Sequence, residues 1–218
     1  MRLVDLSHVI EPGMPLFSSN APAPEIAAWL SHEQAAASAR YEDCSCEITQ
    51  VNFITSLGTY LDSPFHFHPE KASIESLELD QLVLEGLVVD CTQCSVRSAI
   101  RPGVLKGLDY RGKAVLFHSG WSRFWGRDEY FAHPYLTKET ADALVDGGAK
   151  QAGVDWLVID DTANPRRPVH VTLLGNDVLI VENLTGLEAL PENGFTFFAV
   201  PVKVRGAAAF PVRAYASV

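Results

Sequence analysis

The sequence predicts an α/β or α+β fold built on a mixed sheet with flanking helices. Three observations lead there. Short apolar runs of strand length recur through the chain, bounded by Gly, Asp or Ser. Helical patterns alternate with these runs in the second half, whereas the first half is richer in strands and loops. Polar side chains close several runs, namely His118, Asp160 and Glu182, and strand ends are where α/β folds place their sites.

The elements follow in order. Leu3 to Leu6 reads as a first strand, followed by a loop whose prolines 12, 15, 22 and 24 fix an extended path without a ladder. Glu25 to Ala39, rich in Ala, Leu, Glu and Gln, reads as a helix. Cys46 to Thr55 alternates and reads as a strand, and Leu87 to Cys91 as a short buried one. Gly112 to His118 is a further strand, ended by Ser119-Gly120. Thr137 reads as the N-cap of a helix over Lys138 to Asp146, stopped by Gly147-Gly148. Val154 to Ile159 reads as a strand ending in Asp160-Asp161. His170 to Leu174 opens a short helix stopped by Gly175. Val178 to Val181 runs as a strand directly into Glu182-Asn183, and Phe195 to Val204 is the last long strand.

Size and charge narrow the function. At 218 residues the chain fits one large domain over 1–218, with 47% hydrophobic and 20% charged residues. Seventeen basic against 27 acidic residues give a net charge of −10, which argues against nucleic-acid and anionic-membrane partners. No run reaches the roughly 18 apolar residues of a transmembrane helix. The N-terminus places charge too early for a signal peptide, so the expected location is cytoplasmic. The cysteines, Cys44, Cys46, Cys91 and Cys94, fit zinc spacing poorly as a set and read as small, mostly buried thiols near strand ends.

The stretch from Ser56 to His68 is the richest in chemistry. Asp62, His66 and His68 lie within seven residues, and Gly58 and Pro64 constrain the turn that carries them. A carboxylate four residues from an imidazole orients it, or both bind one metal; the plainer reading is a set of solvated or capping residues. His170 and Glu182 change the balance. Glu182 directly follows an apolar strand, where a half-buried carboxylate costs several kcal/mol unless paired or metal-bound. Imidazole and carboxylate from two elements, facing another Asp and His, suit Zn, Mn or Fe. The aromatics Phe17, Phe65, Trp121 and Trp125 are candidate substrate contacts. Trp121-Ser122-Arg123-Phe124-Trp125 follows a strand end and suits a planar ligand bearing a carbonyl or carboxylate, although core packing is the ordinary fate of such rings. His8, His32, His118 and His133 have no evident partner in the sequence.

Taken together, Gly58-Thr59-x-x-Asp62-x-Pro64-x-His66, Gly120-Trp121, His133-Pro134-Tyr135-Leu136, Gly153-Val154-Asp155, His170 and Val181-Glu182-Asn183-Leu184 resemble the cyclase family, which includes bacterial kynurenine formamidases and isatin hydrolases. The resemblance runs from Asp5-Leu6-Ser7 to the Phe195–Val204 stretch. It implies a swivelling β/β/α fold, a homodimer or homotetramer, and a hydrolase site with paired metals. It further implies a bridging aspartate at Asp62, a proton-shuttle histidine at His66, the second metal's histidine at His170 and the other bridging carboxylate at Glu182. The first metal's two histidines fall on Ser56 and Tyr60. A serine hydroxyl is a poor ligand, and a tyrosine must ionise from about pKa 10 to become a good one.

The expectation is therefore at most one divalent metal, Zn or Mn, held by Asp62, His170 and Glu182. The expected reaction is hydrolysis of an amide, lactam or lactone of a small aromatic or cyclic compound. Metal-bound water attacks the carbonyl, His66 moves the proton, and Tyr60 or Ser56 holds the oxyanion. A metal-free cyclase or lyase of the same fold and a non-catalytic small-molecule binding protein are the competing readings. The Pro12–Pro24 segment is expected to pack on a neighbouring subunit and lend Phe17 to its pocket.

Overall fold

The apolar runs become the middle of one sheet. In chain order, the computed structural model describes all 218 residues as β1 (Leu3–Asp5), β2 (Glu25–Leu30), α1 (His32–Ala36), β3 (Ile48–Asn52), β4 (Tyr60–Asp62), β5 (Val83–Asp90), β6 (Ala99–Ile100), β7 (Ala114–His118), β8 (Tyr135–Leu136), α2 (Lys138–Gly147), β9 (Gln151–Val154), α3 (Pro168–Gly175), β10 (Leu179–Glu182), β11 (Phe195–Phe198), β12 (Ala209–Pro211) and β13 (Tyr215–Ser217). Nine strands form a mixed sheet in the order β1-β13-β11-β5-β7-β9-β10-β4-β12. β5, β7, β9 and β10 are mutually parallel, and the pairings outside them are antiparallel. This is the mixed-sheet α+β architecture that the sequence predicts.

Burial follows the pleat. The central strands are covered on both faces, so they read as continuous apolar runs rather than alternating ones. Val115, Phe117 and Ile180 point to one face and pack with α2 and α3 through Leu144, Leu173 and Leu174. Ala114, Leu116, Leu179 and Val181 point to the other face, into a cluster with Leu61, Leu187 and Phe197. α2 starts where expected: the Thr137 hydroxyl accepts from the Thr140 N–H, and Gly148 closes the helix at φ 80°. No helix is long and apolar enough to cross a membrane.

Four sequence expectations need correction. The helix read over Glu25–Ala39 is mostly a strand: β2 pairs with β3 as a separate antiparallel ribbon, and helix begins only at His32, after a Ser31–Gln34 capping box. Propensity favoured helix, but cross-strand pairing decides the outcome. The strand read over Val154–Ile159 is β9, ending at Val154. Residues 155–159 stay buried past its end, where the Trp156 carbonyl accepts from Asn183 N–H. An apolar run does not distinguish a buried strand from a buried loop. The last long strand stops at Phe198, three residues before Pro201, and the short β12 and β13 follow unforeseen. Of the cysteines, all free, only Cys91 is buried; Cys44 lies exposed in the turn before β3.

Candidate active site

β4 and β10 make the floor of the site. They are antiparallel neighbours, with Asp62 opposite Ile180 and Tyr60 opposite Glu182. Alternate residues of a strand share a face, so Tyr60, Asp62 and Glu182 all project toward the helical layer while Leu61 and Val181 turn away. The ends of the two strands are tied together by Asn183, which holds φ 59°, a conformation Asn tolerates better than most residues. Its side-chain amide donates to Gly58 O at 2.8 Å and accepts from the Tyr130 hydroxyl at 2.7 Å, and its carbonyl accepts from Thr59 Oγ1 at 2.6 Å.

Two further segments deliver the imidazoles. Pro64 opens a single 3-10 turn over Pro64–His66, which folds His66 back so that its Nε2 lies 3.7 Å from Asp62 Oδ1. α3 carries His170. Asp160 accepts from the N–H groups of Val169 at 2.8 Å and His170 at 3.0 Å, and from His170 Nδ1 at 2.6 Å. One carboxylate thus caps the helix and orients the ring. His170 Nε2 is left 3.6 Å from Asp62 Oδ2 and 3.5 Å from Glu182 Oε1.

The two carboxylates of the floor are both fully buried but differently supplied. Glu182 accepts from the Tyr60 hydroxyl on Oε2 and from Ile159 N–H at 2.6 Å on Oε1. Neither oxygen of Asp62 has a hydrogen-bond partner. Burial pushes Glu182 up to about 7, against the nearby His170 charge. Burial alone would depress His170; its bond to Asp160, the Asp62 carboxylate 3.6 Å away and the Glu182 charge outweigh it and push the imidazole up to about 10. Burial, then the charges of Glu182 and Asp62, push the Tyr60 phenol well above its ordinary 10.0, so it remains a donor.

This donor set fits a divalent cation. Asp62, His66 and His170 each offer a ligand atom, all within 4.8 Å of one another. Ligands about 2.0–2.2 Å from a shared tetrahedral cation stand about 3.3–3.6 Å apart, close to the spacing His170 Nε2 keeps from Asp62 and Glu182. A buried carboxylate without donors costs several kcal/mol, and a cation removes that cost.

The cluster opens into a cavity of about 400 Å³. Of the candidates named from sequence, Phe17, Ser56, Tyr60, His66, His170 and Glu182 line it, and Phe17 does so within its own chain. Asp62 lies beneath. Phe65, Trp121 and Trp125 are not among the lining residues. Trp121 is 3% exposed in the core, donating Nε1–H to Tyr130 O at 3.3 Å. Trp125 stacks on His8, with centroids 3.8 Å apart. The ring beside the site is Phe67, which stacks on His170 at 4.8 Å; within so tight a turn, residues two apart point in different directions. Arg123 folds onto Phe124 and donates to Gly120 O at 2.9 Å, and the cation of the cavity is instead Arg167. Sequence reasoning also passed over Asp160 as a partner of His170. Its position, ten residues ahead on a connecting loop, gave no periodic signal.

The Cyclase family model, described as "Putative cyclase", matches residues 4–161. The kynurenine formamidase of Salinibacter ruber is 27% identical over 216 residues, 98% of this chain and 96% of that protein. Among solved structures, isatin hydrolase A from Labrenzia aggregata bound to benzyl benzoate superposes with TM-score 0.86 at 20% identity, over 99% of this chain and 93% of that one. A protein described as a predicted metal-dependent hydrolase from Bacillus stearothermophilus gives TM-score 0.76 at 26% identity, over 99% and 97%.

Proposed function

This chain belongs to the cyclase family, and from that premise and the geometry of the cluster we propose that it hydrolyses an amide, lactam or lactone of a small aromatic compound with the help of one divalent metal, Zn or Mn. The observation that carries the proposal is Asp62, a fully buried carboxylate with no donor on either oxygen, faced by His66 and His170. The names of the relatives, kynurenine formamidase and isatin hydrolase, support the reaction class.

Asp62, His170 and Glu182 hold the cation in this reading; His66, although its ligand atom lies within 4.8 Å of those of Asp62 and His170, is the most exposed of the four and is left to carry a proton. When bound, it supplies a Lewis acid that polarises the carbonyl and makes water more acidic. His170 is kept in one orientation by Asp160, as carboxylate–histidine pairs do at metal sites. His66, with its side chain 31% exposed at the cavity, takes the proton from water and returns it to the leaving nitrogen or oxygen. Ser56 lines the same cavity and offers a hydroxyl to the oxyanion. Tyr60 does not share that task, because its hydroxyl is committed to Glu182. It fills the place where the family resemblance puts a histidine of a first metal, and its neutral phenol makes a second cation unnecessary there.

The test is hydrolysis of formanilide, isatin and simple aryl lactones before and after chelation. The expected result is turnover of at least one substrate, lost on chelation and restored by Zn or Mn. Turnover indifferent to chelation returns the metal-free reading, and no turnover of any class removes the hydrolase.

A further inference from the structure

We propose that Arg167 binds an anion and that the substrate therefore carries a carboxylate at the end remote from the bond that is cut; this rests on the hydrolase reading above. Arg167 lines the same cavity as His66, His170 and Glu182. It is a cation without an ionic partner in a chain of net charge −10. Its Nη1 donates to the backbone carbonyl of Asp161 at 3.0 Å, and it forms no ion pair. The Asp161 carboxylate beside it is turned into its own loop, accepting from Ala163 N–H at 2.9 Å. Nε and Nη2 of Arg167 are left free, and that edge of a guanidinium matches the two oxygens of a carboxylate.

The backbone around Arg167 is held in an unfavourable form. Its φ is 44°, in the left-handed region, and it precedes Pro168. A non-glycine residue there costs of order 1–3 kcal/mol and persists where its surroundings over-determine it. Those surroundings are visible. Asp160 fixes the two N–H groups that follow, and the Arg167 carbonyl accepts from Val171 N–H at 3.0 Å to close the first turn of α3. The backbone that carries the side chain is thereby anchored by the same carboxylate that orients His170.

The cavity is then polar along its length. In the hydrolase reading the reacting carbonyl must lie beside His66 and His170, so a carboxylate on the same substrate needs a separate partner. Arg167 is the cationic side chain of the lining and, with Thr162, makes its part of the wall receptive to an anion. Phe17 and Phe67 wall the space with aromatic surface. One orientation satisfies all three: ring in the middle, carbonyl at the His66–His170 end, carboxylate at Arg167.

The test compares formanilide with its ring-carboxylated derivatives, the 2-, 3- and 4-formamidobenzoates, on the purified full-length protein. Benzoate and benzamide binding is followed in parallel by calorimetry. The expected result is kcat/KM higher by about 10–100-fold for at least one formamidobenzoate, the gain of a charge-assisted pair, carried mainly by KM. Arg167→Gln brings the ratio between charged and neutral substrates toward one and weakens benzoate, while Arg167→Lys retains part of the preference. Equal kcat/KM for charged and neutral anilides in the wild-type protein overturns the carboxylate proposal and leaves the hydrolase intact. Benzoate binding that depends on Arg167 with no anilide turned over upholds the anion site and removes the hydrolase. Benzoate binding unchanged in Arg167→Gln overturns the proposal by itself.

Discussion

His170 and His133 are buried to the same depth, each 4% exposed, yet their surroundings oppose one another. His170 stands among Asp160, Asp62 and Glu182 and is pushed up to about 10. His133 has one ring nitrogen against Pro134 O at 2.8 Å and the other buried with no partner, and burial pushes it down to about 4. Depth alone therefore does not make a reactive histidine. Three carboxylates converging on one imidazole do, and one of them, Asp62, is left without donors. The His133 region is a neutral ring packed into the fold; the His170 region is an excess of buried negative charge that calls for a cation.

The contrast is broken most completely at Asp62. Asp62→Asn keeps the shape and removes the charge, so metal binding and hydrolysis should both be lost. The fall in turnover should exceed the roughly 10²–10⁴-fold usual for a general acid or base. Substantial turnover with bound metal in this variant would show that Asp62 is not the centre of the site. His66→Ala comes next, with a loss of about 10²–10⁴-fold in turnover and the metal retained. Loss of the metal with His66 would make it a ligand and not a proton carrier.

Asp160→Asn makes the surroundings of His170 more like those of His133. Metal affinity should weaken by about 10–100-fold, as when a ligand histidine loses its carboxylate partner. Titration of the purified variant with Zn reads this directly, and an unchanged affinity would separate Asp160 from the site. The smallest effect belongs to His133 itself. Its folded pKa of about 4 lies below the unfolded 6.5, so the unfolded chain binds the proton first as pH falls. Its share of stability is present above pH 6.5 and is lost as pH drops toward 4, by at most about 1.4 kcal/mol per pH unit. Thermal melts of wild type and His133→Gln across that range should diverge, the variant showing the shallower decline, with metal content equal in both.

The centre of the fold was legible because its signal is local. Runs such as Ala114–Phe117 and Leu179–Val181 are apolar on both faces, which marks buried chain and here is covered strand; the same signal over 155–159 marks a buried loop. Thr137 and the glycines after α2 carry their own capping chemistry. β2 was hidden because pairing with β3, which is remote in sequence, outweighs an alanine-rich composition. In the site, Glu182 stood out because a charge at the end of an apolar run needs a reason, Asp62 and His66 because Gly58 and Pro64 constrain the turn that carries them, and His170 through the family resemblance. The partnership of Asp160 with His170 and the aim of Arg167 depend on where the loop between β9 and α3 travels, which no spacing encodes. Trp121 and Trp125 misled for the opposite reason: large rings after a strand end pack as readily as they bind.

The central claim is that a single divalent cation sits among Asp62, His170 and Glu182. Elemental analysis of the purified protein and of His170→Ala, with metal counted per chain, tests it most directly. One Zn or Mn per wild-type chain, absent from His170→Ala, is the predicted result. Two metals at full occupancy, or one metal retained without His170, would contradict it.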